Sequence, residues 1–160
     1  MRIGTTPQSA IADDYSECWC PANGLHARSP CSKGCILVVE DELLVATMIE
    51  EALVAAGYEV LGPVSNYRDA VRLALRGTPH LVLMDIRLAG DMDGVAAATE
   101  IWLRTGIRSL FASAHFDFAT IHRAQRAHPA GWLLKPYSVD ELLRATAKIV
   151  DRLPDSTVGE

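Results

Sequence analysis

Five short apolar runs, each followed by a stretch with helical spacing, constrain this chain more than any other feature of its sequence. The runs cover residues 36–39, 58–61, 81–84, 107–112 and 131–134. The first does not alternate between apolar and polar residues, as expected of a strand covered on both faces. Between the first two runs, Val45, Ile49, Ala52, Leu53 and Ala56 share one helical face, and Gly57 supplies a stop. Shorter stripes follow the second run (Tyr67, Ala70, Val71, Ala74) and the third (Val95, Ala98, Thr99, Trp102). The stretch 118–127 carries a fourth and weaker one. The last stripe is Val139, Leu142, Leu143, Thr146, Ile149, Val150 and Leu153, and it opens with Ser138 and Glu141 at capping-box spacing. Strands alternating with helices through short connections predict an α/β fold with a parallel sheet wrapped on both faces. No longer repeat is present.

Composition narrows the class. The 160 residues are 49% hydrophobic and 22% charged, enough to bury a core and too apolar for a disordered chain. The longest apolar runs, 43–49 and 81–84, fall far short of the roughly 20 residues a bilayer requires. A net charge of -5 argues against bulk attraction to nucleic acid or to anionic lipid. The chain opens without a basic-then-apolar signal peptide, and its four cysteines are too few for a disulfide scaffold, so a reducing, cytoplasmic setting is expected. Residues 1–34, with scattered Pro, Gly and Ser and no apolar period, read as a loop or disordered tail. The domain is expected over 35–152, with a short tail at 153–160.

In such a sheet, ligands gather where the strands end. Glu40-Asp41-Glu42 ends the first run, Asp85 the third, Ser113 the fourth and Lys135-Pro136 the fifth. Any one of these reads as polar punctuation; four on one rim do not. Clustered carboxylates make an oxygen-rich site suited to magnesium, with manganese as a substitute. A carboxylate beside such an ion can attack phosphorus, while a lysine and a hydroxyl hold the phosphoryl oxygens. Whether Lys135-Pro136 is cis cannot be read from sequence.

On the segments Ile36-Leu-Val-Val-Glu-Asp-Glu42, Leu81-Val-Leu-Met-Asp-Ile86, Asp93-Gly94, Phe111-Ala-Ser-Ala114 and Gly131-Trp-Leu-Leu-Lys-Pro-Tyr137, the chain resembles the receiver domains of two-component response regulators. The resemblance covers 35–152 and implies a doubly wound, flavodoxin-like five-stranded sheet in the order 2-1-3-4-5. It makes Asp85 the phosphoacceptor and Asp41 a direct magnesium ligand, with Asp85 itself, Glu40 (directly or through water) and the backbone carbonyl of Arg87 completing the set. Lys135 would contact the phosphoryl group and Ser113 would move to hydrogen-bond it. Trp132 holds the place of the switch aromatic, against a simpler reading as a core tryptophan. Arg87 and His115 sit where phosphoryl lifetime is tuned. The implied partners are a histidine kinase or histidine phosphotransfer protein and a downstream protein target, with neither nucleic acid nor membrane contacted directly. The role is that of a phosphoacceptor with slow self-dephosphorylation, not of an enzyme acting on a separate substrate.

Some features depart from the pattern or compete with it. The acidic pair is Glu-Asp where Asp-Asp is commoner, and the loop 86–94 is one residue longer than in the best-known receivers and lacks their Met-Pro. Asp91-Met-Asp-Gly-Val95 resembles the nucleophile motif of haloacid-dehalogenase-like phosphatases, but five residues separate it from the strand end that motif requires. Cys18, Cys20, Cys31 and Cys35, with His26 between, offer zinc ligands. The single residue between Cys18 and Cys20 is shorter than usual zinc spacing, so the tail reading is preferred. The eight residues after Arg152 are too few for an output domain, which predicts a stand-alone receiver; its rival is a module that docks constitutively with an idle acceptor. His122, Arg123, Arg126 and His128 on the fourth helical stretch are a candidate docking face, against a solvated helix surface.

Overall fold

A computed structural model describes residues 32–153. Five strands, β1 (Cys35–Val39), β2 (Glu59–Val64), β3 (Leu81–Asp85), β4 (Ser109–Ser113) and β5 (Gly131–Leu134), alternate with five helices. The helices are α1 (Leu43–Ala55), α2 (Tyr67–Gly77), α3 (Gly94–Thr105), α4 (Phe118–Ala124) and α5 (Val139–Val150), and a 3-10 turn at Gln125–Ala127 follows α4. All strand pairs are parallel and the order is β2-β1-β3-β4-β5, as the resemblance implied.

Successive residues of each strand point to opposite faces, and the core divides accordingly. Leu37, Val39, Val82, Met84 and Phe111 pack with α2, α3 and α4 through Val71, Ala74, Ala98, Ile101 and Ala124. Ile36, Val38, Leu81, Leu83 and Leu110 pack on the other face with Ile49 and Leu53 of α1 and Leu142 and Val150 of α5. Every residue of β1, β3 and β4 is buried, which explains their apolar interiors; the polar residues among them, Asp85, Ser109 and Ser113, stand at strand ends.

The structure corrects several boundaries. The second run shifts from 58–61 to Glu59–Val64, because pairing with β1 continues to Val39 opposite Val64. Pro63 is tolerated there because β2 is an edge strand. Tyr58 lies outside the strand, buried against the α1 side of the core. Ile107 precedes β4, whose pairing with β3 starts at Ser109, and Asp85 belongs to β3. On α1 the buried stripe is Ala46, Ile49 and Leu53, with Leu43 and Leu44 exposed at its start. On α3 the stripe turns toward Ala97, Ala98 and Ile101, leaving Trp102 half-buried and stacked on His128 at 4.5 Å between centroids. The fifth helix ends at Val150, so Leu153 falls beyond its stripe. The predicted capping box is present, with Ser138 and Glu141 each satisfying the other's amide.

Residues 32–34 approach the sheet as a loop tied to β2, since Lys33 N donates to Gly57 O and Glu59 N donates to Gly34 O. Cys35 is the first residue of β1 and is buried. The remaining members of the zinc reading, Cys18, Cys20, Cys31 and His26, lie outside the described residues, as do most of the two tails. No described helix is long and apolar enough to cross a membrane.

Candidate functional site

The carboxyl ends of β1, β3, β4 and β5 bring Glu40, Asp41, Asp85, Ser113 and Lys135 to one rim. Lys135 Nζ donates to Asp85 Oδ2 and to Glu40 Oε2, each at 2.7 Å, so one ammonium bridges two carboxylates. Both acceptors are buried, Glu40 to 4% exposure and Asp85 to 7%. The remaining oxygens are served by backbone: Arg87 N donates to Asp85 Oδ1 at 3.0 Å and Glu42 N to Glu40 Oε1 at 3.2 Å. Asp41 is exposed beside them, and Glu40, Asp41 and Asp85 offer oxygens within 4.8 Å of one another.

Three carboxylates face one lysine, so the rim carries excess negative charge in partly desolvated surroundings. Burial pushes the Glu40 carboxyl above its ordinary value; the hydrogen bond from Lys135 works against this and the Asp85 charge works with it. For Lys135, burial disfavours the ammonium, but the hydrogen bonds and charges of Asp85 and Glu40 outweigh it and hold the group above its usual range. The Tyr137 phenol is pushed up to about 12, chiefly by burial. Its hydroxyl is buried with no hydrogen-bond partner. The all-oxygen donor set and its uncompensated charge fit a hard divalent cation such as magnesium.

Ser113 belongs to the rim but not to the charged cluster. Its hydroxyl donates to His115 O at 2.8 Å and accepts from His115 N at 3.2 Å, closing a small turn. Trp132, on β5, stacks on Phe111 with centroids 5.0 Å apart and meets Phe116 edge-on at 5.1 Å. It is half-buried, packed against two core-facing aromatics while keeping some exposure. The side chains of Arg87 and His115 are exposed flanking the rim, and Lys135–Pro136 is a cis peptide.

Two contacts were not foreseen from sequence. A Cβ on Gly94 would lie 1.9 Å from Asp85 O, so the first turn of α3 rests directly on the backbone of the central carboxylate. The signal for it was an aspartate N-cap followed by glycine. That N-cap, Asp93, accepts from Ala96 N and holds Arg123 of α4 at 2.6 Å. Asp91 and Asp93 therefore sit in the loop beyond β3, away from the strand end that the phosphatase motif needs. Of the proposed docking face, only His122 and Arg123 lie on α4. Arg126 is on the 3-10 turn, and His128 follows it, stacked on Trp102.

Residues 36–147 match the family model described as the response regulator receiver domain. The transcriptional regulatory protein PdtaR of Mycobacterium tuberculosis is 32% identical over 78% of this chain, which spans 60% of PdtaR's length. The chemotaxis protein CheY of Bacillus subtilis is 32% identical over 72% of this chain and 97% of its own. Among solved structures, the signal receiver domain of a modulated diguanylate cyclase from Desulfovibrio desulfuricans G20 superimposes with a TM-score of 0.69 and 34% identity, covering 74% of this chain and 94% of that one.

Proposed function

Because this chain belongs to the response regulator receiver family, we propose that Asp85 accepts a phosphoryl group from the phosphohistidine of a histidine kinase or histidine phosphotransfer protein. The observation that carries this reading is the pairing of Asp85, buried at the end of the central strand, with Lys135 inside a three-carboxylate cluster.

An Asp85 oxygen attacks phosphorus opposite the phosphohistidine nitrogen. The P–O bond forms as the P–N bond breaks, and the departing imidazole takes its proton from solvent. Lys135 already reaches Asp85 Oδ2 and is placed to hold a phosphoryl oxygen attached there. Magnesium or manganese, held by Glu40, Asp41, Asp85 and the Arg87 carbonyl, supplies neutralising charge to the phosphoryl oxygens when bound. Ser113 reaches the new group by exchanging its His115 backbone partners for it. Water attacking the acyl phosphate restores the carboxylate, and Arg87 and His115 flank its approach. The chain is thus a phosphoacceptor, not a catalyst with a separate substrate. Its readout is the surface formed by α4, β5 and α5, offered to a downstream protein.

Incubation with acetyl phosphate and magnesium is expected to give a base-labile adduct that Asp85→Asn abolishes and Asp41→Ala suppresses. Undiminished labelling of the Asp85→Asn protein overturns the assignment.

A further inference from the structure

Arg68, Arg72 and Arg76 recur at every fourth position of α2 and all three are exposed. This spacing puts them in one row along the helix. Together with Arg104 of α3 they line a groove between the two helices, with Tyr67, Val71 and Leu75 contributing its uncharged walls. Glu100 is the one carboxylate lining this groove among the described residues, and the Tyr67 hydroxyl and Arg104 already bind it. Arg104 also lines the adjoining groove between α3 and α4 with Leu103, a side chain 72% exposed, Arg126, and Arg123, which Asp93 holds in an ion pair. The chain as a whole carries -5, yet along this groove four arginines (Arg68, Arg72, Arg76, Arg104) meet two carboxylates, Asp69 and Glu100, and Arg68 and Arg76 have no ion pair among the described residues. The groove is therefore locally positive on an acidic molecule.

We propose that the α2–α3 groove docks an acidic, amphipathic helix of a partner protein. Carboxylates at i, i+4 and i+8 of such a helix repeat about every 6 Å, the same rise that separates Arg68, Arg72 and Arg76. Apolar side chains on its neighbouring stripe cover Val71 and Leu75 of the groove walls, as in other helix-in-groove complexes. A nucleic acid fits less well. Its phosphate backbone offers nothing apolar to Val71 and Leu75 of the groove walls, which the apolar stripe of an amphipathic helix covers. The groove runs along the helix flanks and leaves the Asp85 rim free, so this docking stands or falls independently of phosphorylation.

The test uses the full chain and a short fluorescein-labelled helical peptide with glutamates at i, i+4 and i+8 and leucines on the adjacent stripe. Fluorescence anisotropy is expected to show binding that weakens with added salt. It should weaken at least about tenfold further in the R68E/R76E protein, because each reversal replaces an attraction with a repulsion. Glu50→Lys/Glu51→Lys, on α1, should not weaken it. Circular dichroism should show the same fold in every variant, since the substituted side chains are at the surface. Absence of binding to the parent, equal binding to R68E/R76E, or tighter binding of a single-stranded RNA oligomer than of the peptide would each overturn the proposal.

Discussion

The Lys135 ammonium lies 2.7 Å from Asp85 Oδ2, joining β5 to β3 across the intervening β4. The same ammonium holds Glu40, so a single cation offsets two buried carboxylates. Removing one partner of such an arrangement leaves the others desolvated and unpaired. Lys135→Met is accordingly expected to destabilise the fold by about 1–3 kcal/mol, reduced from the fully buried case because the lysine keeps some exposure. Magnesium should restore part of the loss. Urea denaturation with and without the ion checks this, and a variant as stable as the parent in the absence of magnesium would contradict it.

Gly94 should accept no side chain. With Asp85 O only 1.9 Å from the position of a Cβ, Gly94→Ala must displace either α3 or the backbone that carries the acceptor. A loss of about 1–3 kcal/mol is expected from overpacking. Acetyl phosphate labelling should slow in the same variant under conditions where it remains folded. Normal labelling would show that α3 can yield without disturbing Asp85.

The α5 cap gives the stability a pH dependence of definite sign. Hydrogen bonds from the Ser138 backbone and side chain hold the Glu141 carboxyl below its ordinary value. Its folded-state value is thus lower than its unfolded one. The contribution is present above the unfolded value of about 4.5 and is lost as pH falls through the folded one. Ser138→Ala should cost about 1 kcal/mol at neutral pH. The gap between parent and variant should narrow in acid, and a gap unchanged down to strongly acidic pH would contradict the cap's role.

Trp132 reports on the readout surface. Its contacts with Phe111 and Phe116 connect β5 to the loop that begins at Ser113. A ligand on Asp85 that draws Ser113 away from His115 should alter those contacts, because only a differential interaction shifts a population. With Trp19 and Trp102 replaced by phenylalanine, beryllofluoride and magnesium should change Trp132 fluorescence, and Ser113→Ala should blunt the change. A silent Trp132, with partner binding indifferent to beryllofluoride, would favour constitutive docking.

The sheet is legible because β1 and β3 are buried on both faces and read as apolar runs ending in a carboxylate. β2 was placed less well, since an edge strand carrying Gly62 and Pro63 lacks that signature. The rim residues could be chosen because each ends a run. Their connections could not, because Lys135 and Glu40 are 95 positions apart and nothing local encodes their bond. That Ser113 has to leave a partner before it can reach the acceptor is not legible either, because its hydroxyl is held by the backbone two residues on. The rotation of α3 toward Ala97 and Ile101 is hidden by Trp102, which completes an apolar stripe with Val95, Ala98 and Thr99 in sequence but whose ring stacks on exposed His128.

Borohydride trapping addresses the acceptor assignment most directly. It reduces an aspartyl phosphate to homoserine, which marks the modified carboxylate in a peptide mass spectrum. After treatment with acetyl phosphate and magnesium, the account predicts homoserine at position 85 and at no other aspartate. Homoserine at position 41, 91 or 93 with none at 85, or none anywhere despite phosphate uptake, would contradict it.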